Sequence, residues 1–250
     1  MSGHSQFKNI MYRKGAQDAK RARIFSKISR EITVAVKNGG AIVESNPRLK
    51  LALINARSEN MPKDNVERAI KKALGDEADN NYAEVRYEGY GPGGVAIIVE
   101  ALTDNKNRTA PDVRSAFAKF GGSLGESGSV SFQFSHLGYI EYKKSVAEEE
   151  DFWNAAVEAG AEDVDSSDDE VYVVTCEIAE LGNVRDKLME KFGDPNAAKI
   201  IWKPNNTVPV NDDTARTLFK LIDLLEDNDD VQSVTANYEV SEEFLKNMQD

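Results

Sequence analysis

The chain has 250 residues, a single cysteine and a formal net charge of −12, which allows one large domain or two to three small ones and excludes an internal disulfide. No apolar run approaches bilayer length, and the opening MSGHSQFKNIMYRKGAQDAKR lacks the apolar segment of a signal peptide, so a cytoplasmic protein with no membrane partner is expected. The charge is unevenly placed: residues 1–72 carry 16 Lys and Arg against 6 Asp and Glu, and the remainder 15 against 37. A polyanion is attracted by the first part and repelled by the second, so the pattern points to a nucleic-acid-facing region attached to an acidic body.

Ala22, Phe25, Ile28, Ile32 and Ala35 recur at helical spacing ahead of Gly39, predicting an amphipathic helix with a glycine at its end. Asn46 and Pro47 open a second helix. Val66, Ala69, Ile70, Ala73 and Leu74 share one face of a third, which stops at Gly75. Residues 1–75 should therefore form a basic helical domain, followed by the polar linker DEADNNYAE. Beyond it the period changes to a strand over 95–102, a helix over 109–120 with Thr109 and Asp112 as capping pair, and a strand over 129–134. LGYIEYK, EEEDFWNAAVEAG, VYVVTCEI, ELGNVRDKLMEKFG and AAKIIWKP then read as strand, helix, strand, helix and strand. With a short edge strand at 162–164 they compose a β-α-β-β-α-β, ferredoxin-like unit. A last helix carries Ala215, Leu218, Phe219, Ile222 and Leu225, and a last strand covers 231–238. That pair and residues 82–134 each lack a partner half. The expectation is an α+β protein with a helical N-terminal domain (1–75) followed by two small α/β sandwich domains, one (135–204) inserted into the other (82–134 plus 205–240).

Gly89, Gly91 and Gly94 match the spacing of a dinucleotide-binding loop, but such a loop must open a helix. Here it leads into the β-branched run VAIIVEAL, and Pro92 removes a backbone donor. A tight turn ahead of a central strand is expected, with no cofactor and no small-molecule substrate; a nucleotide-dependent enzyme is the less favoured alternative. Catalytic residues are expected to be absent. The two histidines, His4 and His136, lie in the N-terminal arm and in a turn, and Cys176 lies in a strand pattern that suits a packed thiol. Asp163, Asp165, Ser167 and Asp169 begin like a calcium loop, yet Asp168 replaces the required glycine and Val174 the bidentate glutamate, so an acidic hairpin loop is expected and no metal site.

The strongest signal is basic. Between residues 8 and 30 stand Lys8, Arg13, Lys14, Lys20, Arg21, Arg23, Lys27 and Arg30 against the single acid Asp18. On the first helix Lys20, Arg23, Lys27 and Arg30 share a face, and Phe7 and Tyr12 offer rings for unpaired bases. These residues are the candidate nucleic-acid contacts, joined by Lys106 and Arg108 in the loop TDNKNRT, which precedes a helix N-terminus. A plain helix-capping loop explains that segment equally well. No helix-turn-helix is expected, because NGGAIVES is too long for the turn.

The blocks GHS (3–5), RKGAQDAKR (13–21), REITVAV (30–36), NPRL (46–49), MPKDNVERAIKK (61–72), RYEGYGPGGVAIIVEALTDNKNRT (86–109) and GGSLGESGSVSFQF (121–134) together resemble the YebC/PmpR family. Where that family's arm commonly reads G-H-S-K-W-x-x-I-K-H-R-K, this chain has Gln6, Phe7, Met11 and Tyr12. The resemblance implies a helical domain and two α/β domains. It also implies a regulator of gene expression that binds promoter DNA, or, as in the related mitochondrial translational activator of cytochrome c oxidase subunit one, a translation factor that meets ribosomal or messenger RNA on the ribosome.

Overall fold

The computed structural model describes residues 18–75, 82–241 and 244. Its helices are α1 (Asp18–Gly39), α2 (Pro47–Ser58), α3 (Lys63–Leu74), α4 (Lys106–Lys119), α5 (Glu149–Ala159), α6 (Leu181–Phe192) and α7 (Asp212–Glu226). The strands are β1 (Ala83–Tyr90), β2 (Ala96–Thr103), β3 (Ser123–Leu124), β4 (Phe134–Lys143), β5 (Asp163–Asp165), β6 (Val171–Cys176), β7 (Ala197–Pro204), β8 (Val208–Pro209), β9 (Val231–Ala236) and β10 (Tyr238–Glu239). The chain divides into two compact units: the described residues within Met1–Lys27, Asp79–Ser135 and Pro204–Asp250, and those within Ile28–Ala78 and His136–Lys203.

In the first unit the sheet order is β3-β1-β2-β9. β1 and β2 form an antiparallel hairpin paired from Ala83↔Thr103 to Tyr90↔Ala96, closed by a 3₁₀ turn at Pro92–Gly94 in which Gly93 has φ 75°. The glycine run is thus a turn into a central, buried strand. A Cβ on Gly89 would stand 2.5 Å from the Ser123 carbonyl oxygen, so glycine is what lets β3 approach β1. Val95, Ile97 and Val99 pack against Val113 and Phe117 of α4, Leu218 and Ile222 of α7, and Phe244.

Four details of this unit differ from the sequence expectation. β1 was not foreseen as a strand. α4 begins at Lys106 rather than 109, because the Asn105 side chain caps it by accepting from Arg108 N at 3.2 Å. Thr109 instead turns inward and donates to Asp230 at 2.7 Å. Residues 129–134 are not a strand but hold a 3₁₀ turn at Ser131–Gln133, so the strand begins at Phe134. The last strand breaks at Asn237, whose Oδ1 accepts from Ala96 N at 2.8 Å and whose backbone N–H donates to the Ala96 carbonyl at 3.1 Å. β10 then pairs in parallel with β8.

The second unit carries the order β5-β6-β4-β7, which with the chain order β4-α5-β5-β6-α6-β7 is a ferredoxin-like connection. Ile140, Tyr142, Phe152, Tyr172, Val174, Val184 and Leu188 form its core, with the Phe152 and Tyr172 rings stacked at 4.4 Å. α2 lends Ile54 to the same core. Lys50 of α2 pairs with Asp186 at 2.7 Å, and Arg57 pairs with Asp194. A smaller core of Ile32, Ala35 and Val36 from α1, Leu49 and Ala52 from α2 and Ala69 from α3 holds the helices together. Asn46 fixes the corner between α1 and α2. Its Oδ1 accepts from Leu49 N at 3.0 Å, and its Nδ2 donates to the carbonyls of Ala35 (2.7 Å) and Gly40 (2.8 Å), so one buried amide ends one helix and caps the next.

Candidate nucleic-acid interface

Lys8, Arg13 and Lys14 lie outside the described residues, as does the side chain of Lys20 in α1. The remaining basic residues of α1 do not behave alike. Arg21 is exposed and Arg30 half-buried. Arg23 is ion-paired with Asp227, and Lys27 donates to the Glu226 carbonyl at 2.9 Å. Glu226 is the last residue of α7, so both cations sit at the negative end of that helix. Burial pushes the Lys27 amine below its ordinary pKa against the opposing pull of Glu226, Asp227 and Asp229. Of the expected basic face, Arg23 and Lys27 therefore serve to seat the start of α1 on the C-terminus of α7.

Arg108 is similarly engaged. Its Nη2 meets the Asp230 oxygens at 2.7 and 2.9 Å and Asp104 at 3.0 Å. Hydrogen bonding to Asp230 raises its pKa. Asp230 is the hub of this arrangement, with a side chain only 4% exposed. It also accepts from Thr103 at 3.0 Å and Thr109 at 2.7 Å, while the Thr109 hydroxyl lies 2.8 Å from that of Thr103. Burial alone would lift its carboxyl pKa, but the bonds from Arg108, Thr109 and Thr103 outweigh that and hold it below the ordinary value. The loop TDNKNRT thus combines a cap and a clamp. Lys106 and Asn107 are left exposed at the α4 N-terminus.

Sequence reasoning passed over further exposed cations: Arg114 and Lys119 on α4, and Arg68, Lys71 and Lys72 on α3. Their signal was available in the helical spacing, since each stands off the apolar positions Val113, Ala116 and Phe117 or Val66, Ala69 and Ile70.

Of the residues considered for catalysis, Cys176 is buried and His136 is exposed. The His136 ring lies parallel to that of Trp202 with centroids 4.0 Å apart, and His4 is outside the described residues. Cys176 is buried in the second core, its thiol pushed up to about 11 by burial. In the acidic loop Asp168 accepts from the N–H groups of Glu170 (2.7 Å) and Val171 (3.1 Å), and Asp165 from Ser167 N (2.8 Å); these are turn caps. Among the described residues no helix is long and apolar enough to cross a membrane.

Two family models match in sequence. The TACO1/YebC protein N-terminal domain matches residues 5–76, and the TACO1/YebC second and third domain, named for transcriptional regulation, matches residues 82–238. Among solved structures, a conserved hypothetical protein from Aquifex aeolicus is 47% identical, with 90% of this chain and 93% of that chain covered and a TM-score of 0.79. An α+β fold of helical region and α/β domains, matched in order over nearly all its length, places the chain in the TACO1/YebC family.

Proposed function

We propose that the protein is a non-enzymatic, cytoplasmic, nucleic-acid-binding regulator of gene expression that acts in transcription at promoter DNA. The observation that carries this reading is the charge partition, 16 basic against 6 acidic residues over 1–72 in a chain of net −12. The cations left exposed on α1, α3 and α4 (Arg21, Arg68, Lys71, Lys72, Lys106, Arg114 and Lys119) supply the phosphate contacts, together with those of the arm. A binding role rather than an enzymatic one is favoured because Cys176 is buried in a core and the glycine run closes a hairpin. A small-molecule substrate is not part of this reading.

A second reading, a translation factor on the ribosome, is favoured by the acidic remainder, 37 Asp and Glu against 15 Lys and Arg. A long duplex repels such a body, whereas the basic proteins of a ribosome attract it. Sedimenting a lysate with tagged protein through a gradient, with and without nuclease, and footprinting the protein on promoter DNA decides between them. A defined footprint that survives physiological salt supports transcription, nuclease-sensitive co-migration with ribosomes supports translation, and neither outcome refutes both.

A further inference from the structure

The stretch from Gly125 to Gln133 is pinned on both sides of one exposed ring. The Glu88 side chain is fully buried. Its Oε2 accepts from the N–H groups of Val130 at 3.0 Å and Ser131 at 2.9 Å, and its Oε1 from Arg86 Nε at 2.9 Å. The Glu88 carbonyl accepts from Gly125 N at 2.8 Å. On the other flank Gln133 N donates to the Val130 carbonyl at 2.9 Å, and the Gln133 carbonyl accepts from Asn205 N at 2.8 Å. The Gln133 side chain donates to the Tyr90 hydroxyl at 3.2 Å and accepts from Asn237 Nδ2 at 3.2 Å. Between these fixed neighbours Phe132 is 72% exposed, more than any other large apolar side chain among the described residues.

An aromatic ring held in water by a rigid turn is preorganised for a flat partner, because little freedom remains to be lost on contact. The surroundings narrow the choice. Gly125, Ser127, Gly128, Ser129 and Ser131 flank the ring in sequence, Glu126 is the one charge among them, and the neighbouring Tyr90 is itself partly exposed. Protein-docking anchors sit inside a desolvated apolar patch, which this polar, glycine-rich setting does not offer. One exposed ring on a polar turn instead matches a nucleobase, whose face stacks on such a ring.

We propose that Phe132 is a stacking platform for an unpaired base of single-stranded nucleic acid. This rests on the nucleic-acid-binding reading above and adds a contact to bases, distinct from the phosphate contacts of the basic helices. Because stacking involves no counterion, its loss lowers affinity without altering the salt dependence.

The test is fluorescence anisotropy of the full chain with labelled oligo-U and oligo-dT of about 12 nucleotides, a length within the usual range of single-strand sites, and with a hairpin duplex, over a range of salt. Phe132→Ala is expected to weaken single-strand binding by roughly five- to 150-fold, the span of one stacked base, with an unchanged salt slope and a smaller effect on the duplex. Phe132→Trp should restore binding. A larger loss on oligo-U than on oligo-dT identifies RNA as the source of the base, and equal losses leave both as sources. Equal single-strand affinity of wild type and Phe132→Ala, or an equal loss on the duplex, overturns the stacking site alone. Absence of binding by the wild type to all three probes overturns the nucleic-acid reading as well.

Discussion

Replacing Asp230 by alanine isolates the clamp that joins β2, the start of α4 and the approach to β9. The carboxylate accepts from two buried hydroxyls, Thr103 at 3.0 Å and Thr109 at 2.7 Å. Hydrogen bonds to a charged partner contribute about 1.5 kcal/mol each at the lower end of their range, so their loss should cost the first unit about 3 kcal/mol. The Arg108 guanidinium is 50% exposed and regains water when its partner is removed, so it adds nothing to that sum. Asp230→Asn keeps one acceptor oxygen and should lose about half as much. Urea unfolding at pH 7, followed by circular dichroism, gives the free energies directly. The order wild type, Asn, Ala is the expected ranking, with Arg108→Ala milder than Asp230→Ala. An Ala variant within about 0.5 kcal/mol of wild type, the range of an inert surface change, would refute the claim that this buried carboxylate organises the unit.

Arg21→Ala should flatten the salt dependence of nucleic-acid binding by about 0.7 to 0.9 in log–log slope if it meets one phosphate, with unchanged stability. Lys27→Met should leave that slope alone, since its amine is already committed to the α7 terminus; a slope change for Lys27→Met as large as that for Arg21→Ala contradicts this division of roles. The carboxyls of Glu88, Asp186 and Asp230 are each raised by burial and lowered further by hydrogen bonds, chiefly from the Val130 amide, from Arg185 and from Arg108 respectively. Their folded pKa values therefore lie below the unfolded ones, so the stability they supply is complete above the ordinary carboxylate range and is lost as pH falls through the folded values. Stability should be flat between about pH 7 and 5 and decline below about pH 4, less steeply for Glu88→Gln; an equally steep acid limb in that variant counts against the buried carboxylate. Ile54→Ala should destabilise the second unit by about 2 to 4 kcal/mol, read by urea unfolding, and a null effect would mean that α2 is not part of that core.

The helices were legible because each carries its own punctuation: Asn46 and Pro47 at one start, Gly39 and Gly75 at two ends, and apolar residues at steps of three and four. β1 was harder to see. Its inward positions include Glu88, which resembles a solvated residue until the backbone of residues 128–131 closes around its carboxylate. The same blindness affects Asp230. It stands last in the acidic run Asp227, Asn228, Asp229, Asp230, and it is Thr103, Arg108 and Thr109, more than 120 residues away, that select it for burial. Charge density drew attention to α1, but the local sequence could not distinguish Arg21 from Arg23 and Lys27. That distinction is made by the end of α7, about 200 residues downstream. Long-range electrostatic pairing leaves no trace in a helical period.

The core of the first unit has a consequence for the order of events during synthesis. Its sheet begins at Ala83, yet it is closed by residues as late as Tyr238, Val240 and Phe244, whereas the last strand of the second unit ends at Pro204. At the usual elongation rate the intervening stretch takes about 2 to 8 s to emerge. Throughout that interval the face of β2 that bears Ile97 and Val99 has Val113 and Phe117 of α4 to pack against but must wait for α7. A newly made chain therefore holds a finished ferredoxin-like unit beside an open hairpin. Chaperones that survey nascent chains would meet this protein first through β1 and β2.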